Sequence, residues 1–185
     1  MKINTKSSTK NIAIIGLFTA FTITLSQLAI PLPSGVPVTL QTFAIALCGY
    51  ILGWKRGLAA VWTYIILGAI GLPVFSNFGG GLGKLFGMTG GFIWGFLFLV
   101  MLCGIGIKSN NFLTSIVLGI IGLAPCHLLG VVQFSLVTST PILRAAFLAS
   151  FPYLIKDIVS IAGAYFIAIA ARKALAKSNI GKEFV

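Results

Sequence analysis

Residues 72–91 read Leu-Pro-Val-Phe-Ser-Asn-Phe-Gly-Gly-Gly-Leu-Gly-Lys-Leu-Phe-Gly-Met-Thr-Gly-Gly. Glycine this dense argues against a regular helix, because each glycine gives up more backbone freedom on ordering than any other residue. The stretch is also too apolar for a solvated loop. Irregular backbone near lipid is tolerated only where it is buried in protein or lines a cavity. The alternative is a long, slack surface loop, although loops of this length without structure of their own are usually functional or disordered. The flanking sequence favours a segment folded back onto a membrane bundle.

Working outward, three apolar runs precede the stretch, at about 12–30, 39–53 and 57–71, and three follow it, at about 92–107, 112–136 and 144–171. The first ends at the turn Pro31-Leu-Pro-Ser-Gly35, the second at Trp54-Lys55-Arg56 and the third at Gly71-Leu72-Pro73. The fourth stops at Lys108 before Ser109-Asn-Asn111. The fifth contains Pro125, expected to kink it and free a carbonyl, and the sixth ends at Arg172, Lys173 and Lys177. A span takes about 20 residues, so a chain of 185 residues holds six and leaves no room for a separate soluble domain. A basic start before an apolar run also describes a cleaved signal peptide, but this run is long and five more follow.

Composition agrees. Hydrophobic residues make up 58% of the chain and charged residues 8%, where a soluble domain carries about 25% charged residues. The expected fold is all-α: one integral membrane bundle of six transmembrane helices over residues 1–185, with an extracellular cap between helices three and four.

Lysine and arginine number 13 against two acids, a formal charge of +11. The cations sit in short gaps between apolar runs, where orientation signals belong, so nucleic acid is not an expected partner. Six spans put Lys2, Lys6, Lys10, Lys55, Arg56, Lys108, Arg172, Lys173, Lys177 and Lys182 on the side shared by both termini, ten of the 13. Lys84 and Arg144 fall opposite, and Lys156 lies within a span. The positive-inside rule then predicts a multi-pass protein of the cell membrane with both termini cytoplasmic.

Catalysis can be tested by subtraction. The only acids are Asp157 and Glu183, and Glu183 stands near a polar end, so no paired-carboxylate site is expected. The only imidazole, His127, has no Gly-x-Ser-x-Gly elbow to serve and reads as a buried, hydrogen-bonding histidine. No metal cluster or cofactor is expected from one histidine and three scattered cysteines, Cys48, Cys103 and Cys126. The segment from Phe78 to Leu85 lacks the first glycine and the final hydroxyl of a phosphate-binding loop. An enzyme is not expected, and active transport would draw its energy from a partner.

The strongest functional signal is Phe151-Pro-Tyr153-Leu-Ile-Lys156-Asp157-Ile in the sixth run. A charge at the bilayer centre costs about 2.5–3.5 kcal/mol on insertion scales, and here two stand side by side. Helix neighbours point about 100° apart, so each is expected to need a partner elsewhere, such as a bound polar solute. The alternative is a structural pair near the outer interface, with Lys156 snorkelling to headgroups. On the first reading the pocket takes Tyr153 one turn before Asp157, with Asn77, Lys84 and Thr89 from the cap and Thr39 and Gln41 from the second run. Trp62, Tyr64, Phe78 and Trp94 are candidate apolar walls. On the first run Ala13, Gly16 and Ala20 form a strip of small residues that would let another helix approach closely.

Several stretches together resemble one family: Pro37-Val-Thr39-Leu-Gln41-Thr42-Phe, Leu52-Gly-Trp-Lys-Arg-Gly57, Gly71-Leu-Pro73-Val-Phe75, Gly87-Met-Thr89-Gly-Gly91-Phe, and Lys156-Asp157. They are similar to the BioY family, the membrane-embedded biotin-binding S components of energy-coupling factor transporters. The resemblance covers essentially the whole chain and is most specific from Gly71 to Gly95. It implies six helices holding biotin near the outer surface, with the loop before helix four folded into the site. It also implies a transmembrane coupling protein and two cytoplasmic ATPases as partners, docked in part on small residues of the first helix. Asn77 and Thr89 match the family's cap motif, and Lys156 with Asp157 its last-helix motif. By the same resemblance Asp157 and Asn77 read the ureido head of biotin, and Lys156 or Lys84 meets its carboxylate.

Overall fold

The computed structural model describes residues 5–176, with side chains from Thr9 onward. Lys2, Lys177, Lys182 and Glu183, and the side chain of Lys6, lie outside the described residues. Among the described residues the regular elements are helices apart from one short hairpin: α1 (Thr5–Gln27), β1 (Ala29–Ile30), β2 (Val38–Thr39), α2 (Gln41–Ala69), α3 (Leu82–Leu85), α4 (Gly90–Gly106), α5 (Phe112–Thr138), α6 (Ile142–Ala149) and α7 (Phe151–Ala176). Among the described residues five helical stretches are long and apolar enough to cross a membrane: Thr9–Gln27, Gln41–Ala69, Gly90–Ser109, Phe112–Thr138 and Phe151–Ala176.

The second of these is itself a reversal. Gln41 Nε2 donates to Tyr64 OH at 2.8 Å across 23 residues, a separation of about 34 Å on a straight helix. The turn is made at Gly53, with φ 74° and ψ 173°, backbone that only glycine adopts without strain. Two arms, 41–52 and 54–69, therefore run antiparallel. The second and third apolar runs are both there, but the break falls at Gly53 and not at the cations after it. The end of the first arm leaves carbonyls without intrahelical partners, and Arg172 Nη1 donates to two of them, Tyr50 O at 3.1 Å and Ile51 O at 3.3 Å.

The sixth run also divides. Residues 142–149 form α6, Ser150 breaks the helix at φ −125° and ψ −63°, and α7 begins at Phe151. Pro152 suits this start, since its missing N–H would be unpaired in a first turn anyway. Lys156 and Asp157 thus occupy the second turn of α7, close to one end of the bundle, instead of mid-span.

Residues 70–89 are ordered by specific contacts and are not slack. Phe75 and Gly79 bridge as antiparallel partners, and Phe75 is fully buried with its ring edge-on to Tyr64 at 5.2 Å. Ser26 and Gln27 of α1 donate to Val74 O, and Gln27 Oε1 accepts from Phe78 N at 2.9 Å. From α5, Gln133 Nε2 donates to Leu85 O at 2.9 Å and Gly87 O at 2.7 Å. The backbone of this segment finds its partners in side chains of the helices it covers, as burial requires.

The core lies between α2, α4, α5 and α7. Helices α4 and α5 approach closely at Gly95, where an added Cβ would fall 2.9 Å from Cys126 Cβ. Beyond the midpoint of the bundle, Tyr50, Leu99, Val100, Cys103 and Ile161 are all fully buried. There Tyr50 OH donates to Ser115 O at 2.9 Å and its ring meets Tyr165 edge-on at 5.6 Å. The three cysteines are buried and unpaired.

Candidate functional site

A cavity of about 60 Å³ opens at the end of the bundle where α2 and α7 begin. Its wall includes Thr39, Gln41, Thr89, Tyr153, Lys156 and Asp157, so six of the eight residues picked from sequence converge. Each is placed by a local rule. Thr39 ends β2, where its hydroxyl donates to Gln41 Oε1 at 2.9 Å; the same Gln41 reaches Tyr64 with its amide. Tyr153 lies one helical turn before Asp157 and donates to Val36 O at 2.5 Å, pinning the hairpin loop over the cavity.

Lys156 and Asp157 do meet each other, contrary to the expectation from their 100° separation. The four-carbon stem of the lysine bends round the helix so that Nζ lies 2.5 Å from Asp157 Oδ1, and Nζ also donates to Thr39 O at 3.0 Å. Asp157 is 7% exposed at its side chain and Lys156 28%. Asp157 Oδ1 has no aligned hydrogen-bond donor. The wall therefore carries one buried acceptor and one ammonium side by side, nearly neutral as a pair and matched to a solute that offers a donor next to an acceptor.

His127 stands behind the acid. Its Nε2 is 3.2 Å from Asp157 Oδ2, without the alignment of a hydrogen bond, and its Nδ1 is 2.9 Å from Ser150 Oγ. The sequence reading of a buried, bonded histidine holds on the Nδ1 side. Serine, imidazole and carboxylate are connected as in a hydrolytic triad, but in the wrong sense. The carboxylate faces the cavity, while Ser150 is 6% exposed and absent from the wall. A nucleophile must reach its substrate, and this one does not.

Asn77 and Lys84 are not part of the wall. Asn77 is exposed, in left-handed backbone at φ 56°, and the stem of Lys84 lies over Gly79. The aromatic walls differ too. Phe92, Ile93 and Phe96 of α4 line the cavity, whereas Trp62 and Trp94 pack on each other at 6.5 Å and Phe78 is 71% exposed. Thr42 and Ser76 also line the cavity. Both adjoin residues chosen from sequence, and adjacency was the signal available for finding them. Among the described residues no group of three or more potential metal ligands occurs.

A helical bundle of membrane-crossing length, holding at one end a small, largely apolar cavity with an ion pair on its wall, defines a solute-binding membrane protein. The BioY family pattern matches residues 1–177, and the chain belongs to that family. It is 37% identical over 159 residues to the biotin transporter BioY of Thermotoga maritima, covering 85% of this chain and 93% of that one. It is 31% identical over 171 residues to the biotin transporter BioY2 of Lactococcus lactis, covering 91% and 93%. Its fold is similar to the crystal structure of the S-component for biotin from an ECF-type ABC transporter, with a TM-score of 0.76, 26% identity and complete coverage of both chains.

Proposed function

We propose that this chain is the biotin-binding S component of an energy-coupling factor transporter, capturing the vitamin from outside for uptake driven by a separate ATPase module. The observation that carries this reading is the Lys156–Asp157 pair on the wall of a cavity at one end of the bundle. The chain is a transport subunit and not an enzyme.

Counting the arms of α2 separately gives six crossings. Arg172 against Tyr50 and Ile51, and Lys108 and Lys55 over the Trp54 ring at 5.8 and 5.4 Å, gather basic residues at the end opposite the cavity. That supports cytoplasmic termini in the cell membrane and an outward-facing site beneath residues 70–89.

In the proposed complex Asp157 Oδ1 accepts a ureido N–H of biotin. A urea carbonyl lies directly beside its N–H groups, so Lys156, adjacent to the acid, is placed to donate to it. The valerate tail then points toward Lys84, with Asn77 and Thr89 closing behind it, and Thr39, Gln41 and Tyr153 hold the ring. A cavity of about 60 Å³ has room for only a few waters, so binding widens it by shifting residues 70–89. On α1, Ala13, Gly16 and Ala20 are all exposed, and nothing lies within 4 Å of a Cβ added at Gly16. This face suits docking of the transmembrane coupling protein, which in turn carries two ATPases.

The test is radiolabelled biotin binding to purified protein. One-to-one saturable binding without ATP, competed by biotin and not by thiamine or riboflavin, and lost in Asp157→Asn, is expected. Equal binding of all three vitamins, or full binding by Asp157→Asn, refutes the reading.

A further inference from the structure

The mechanism proposed above leaves one buried polar side chain without a task. His127 is 7% exposed on α5, one residue past a position on the cavity wall, Cys126. Three elements face its ring. Asp157 approaches Nε2 from α7 at 3.2 Å, Ser150 approaches Nδ1 from the α6–α7 junction at 2.9 Å, and the Phe92 ring of α4 packs edge-on at 5.9 Å. A polar group this enclosed is costly unless its bonds are made, and a leucine of similar volume would fill the same space.

We propose that His127 is a positioning residue for the ligand: Ser150 favours the Nε2–H tautomer, which sets that N–H against Asp157 Oδ2 at 3.2 Å, and in the ligand complex it aligns on Oδ2 and keeps Oδ1 turned to the solute. The serine hydroxyl can donate or accept, and the carboxylate decides between the two: it can only accept, so the arrangement with a proton on Nε2 facing Asp157, and Ser150 donating to Nδ1, is the one that opposes no two lone pairs. Ser150 has its own anchor, since its backbone N–H donates to Ala146 O at 3.0 Å and its carbonyl accepts from Tyr153 N at 2.9 Å. The serine that ends α6 thereby sets the orientation of an acid in α7 through an imidazole in α5. Among the described residues three buried side-chain atoms lack an aligned partner, and two of them, Asp157 Oδ1 and His127 Nε2, lie at this site; the third is Asn11 Oδ1. A ligand N–H on Oδ1 satisfies the first and, by settling the carboxylate plane, lets Oδ2 come into line with the second.

This inference rests on the solute site proposed above, and the experiment separates the two. Biotin affinity is measured by calorimetry in nanodiscs for the unaltered protein, His127→Leu and His127→Gln, with thermal melting of each unliganded protein alongside. His127→Leu should weaken binding about ten- to a hundredfold, as loss of a hydrogen bond to a charged group does. His127→Gln, whose amide can still donate to Asp157, should recover most of that loss. Equal affinity for the leucine variant, or equal impairment of the two at similar melting temperature, overturns the proposal. Should the leucine variant not fold, a second readout stands, because His127 is the sole histidine of the chain. Nitrogen NMR of histidine-labelled protein, freed of any affinity tag, should show one ring protonated at Nε2 whose signals move in Asp157→Asn; an Nδ1–H tautomer, or signals unmoved by that substitution, overturns it. If the unaltered protein binds no biotin, the functional reading fails, while the NMR outcome still judges the His127–Asp157 link.

Discussion

Replacing Lys156 by methionine separates what the ion pair does for the fold from what it does for the ligand. The substitution keeps the stem that packs along α7 and removes the ammonium 2.5 Å from Asp157 and 3.0 Å from Thr39 O. Breaking a buried pair by removing one partner costs about 3–5 kcal/mol, because the other charge is left uncompensated. With 28% of the lysine side chain exposed and 7% of the aspartate, solvent screening puts the effect near the low end, about 3 kcal/mol. At about 2–4 °C per kcal/mol for a chain of this size, the unliganded protein should melt about 6–12 °C lower. The double variant Lys156→Met/Asp157→Asn removes the stranded charge and should regain most of that loss, while still failing to bind biotin. Melting of these three proteins and of Asp157→Asn in one detergent, with biotin binding on each, closes the cycle. A double variant no more stable than Lys156→Met alone would show that the charge contact is not what the lysine contributes.

Gln133→Ala removes both side-chain bonds that tie Leu85 and Gly87 to α5; hydrogen exchange over residues 82–90 should quicken and biotin should dissociate faster, and unchanged exchange would refute the tether. Gly16→Leu adds bulk where no neighbour lies within 4 Å, so biotin binding by the lone subunit should be unaffected while copurification with the coupling protein falls; loss of biotin binding would place the face elsewhere. Gly95→Val drives a side chain into Cys126 and should cost about 1–3 kcal/mol by overpacking, read as a lower melting temperature; melting like the unaltered protein would contradict the close α4–α5 contact.

The lining of the cavity was more legible in the sequence than the helix boundaries were. Lys156 and Asp157 announced themselves because charge in an apolar run has few innocent explanations, and Thr39 and Gln41 were picked with them as the polar start of the second run. Their mutual contact was not foreseen, since a rule about directions of Cβ says little about where a four-carbon stem ends. The walls were misplaced for a different reason. In α4 nearly every residue is apolar, and hydrophobicity alone does not tell the face that meets protein from the face that meets lipid; Phe92 and Phe96 turn inward and Trp94 joins Trp62. The reversal at Gly53 was displaced toward Lys55 and Arg56 because cations mark interfaces, whereas the turn itself depended on a glycine at positive φ. The separation of α6 from α7 hid behind continuous hydrophobicity, although Pro152 was there to mark it.

The fully buried layer of Tyr50, Leu99, Val100, Cys103 and Ile161 gives the site a floor. Counted along the first arm of α2, Tyr50 lies nine residues from Gln41 at the rim, a depth of about 13 Å. The molecule in this state is a cup and not a conduit. No rotamer change at the rim drains a cup through its base, because the plug is the close-packed interior shared by four helices. Passage of a solute beyond the site must therefore rearrange the walls or reorient the vessel.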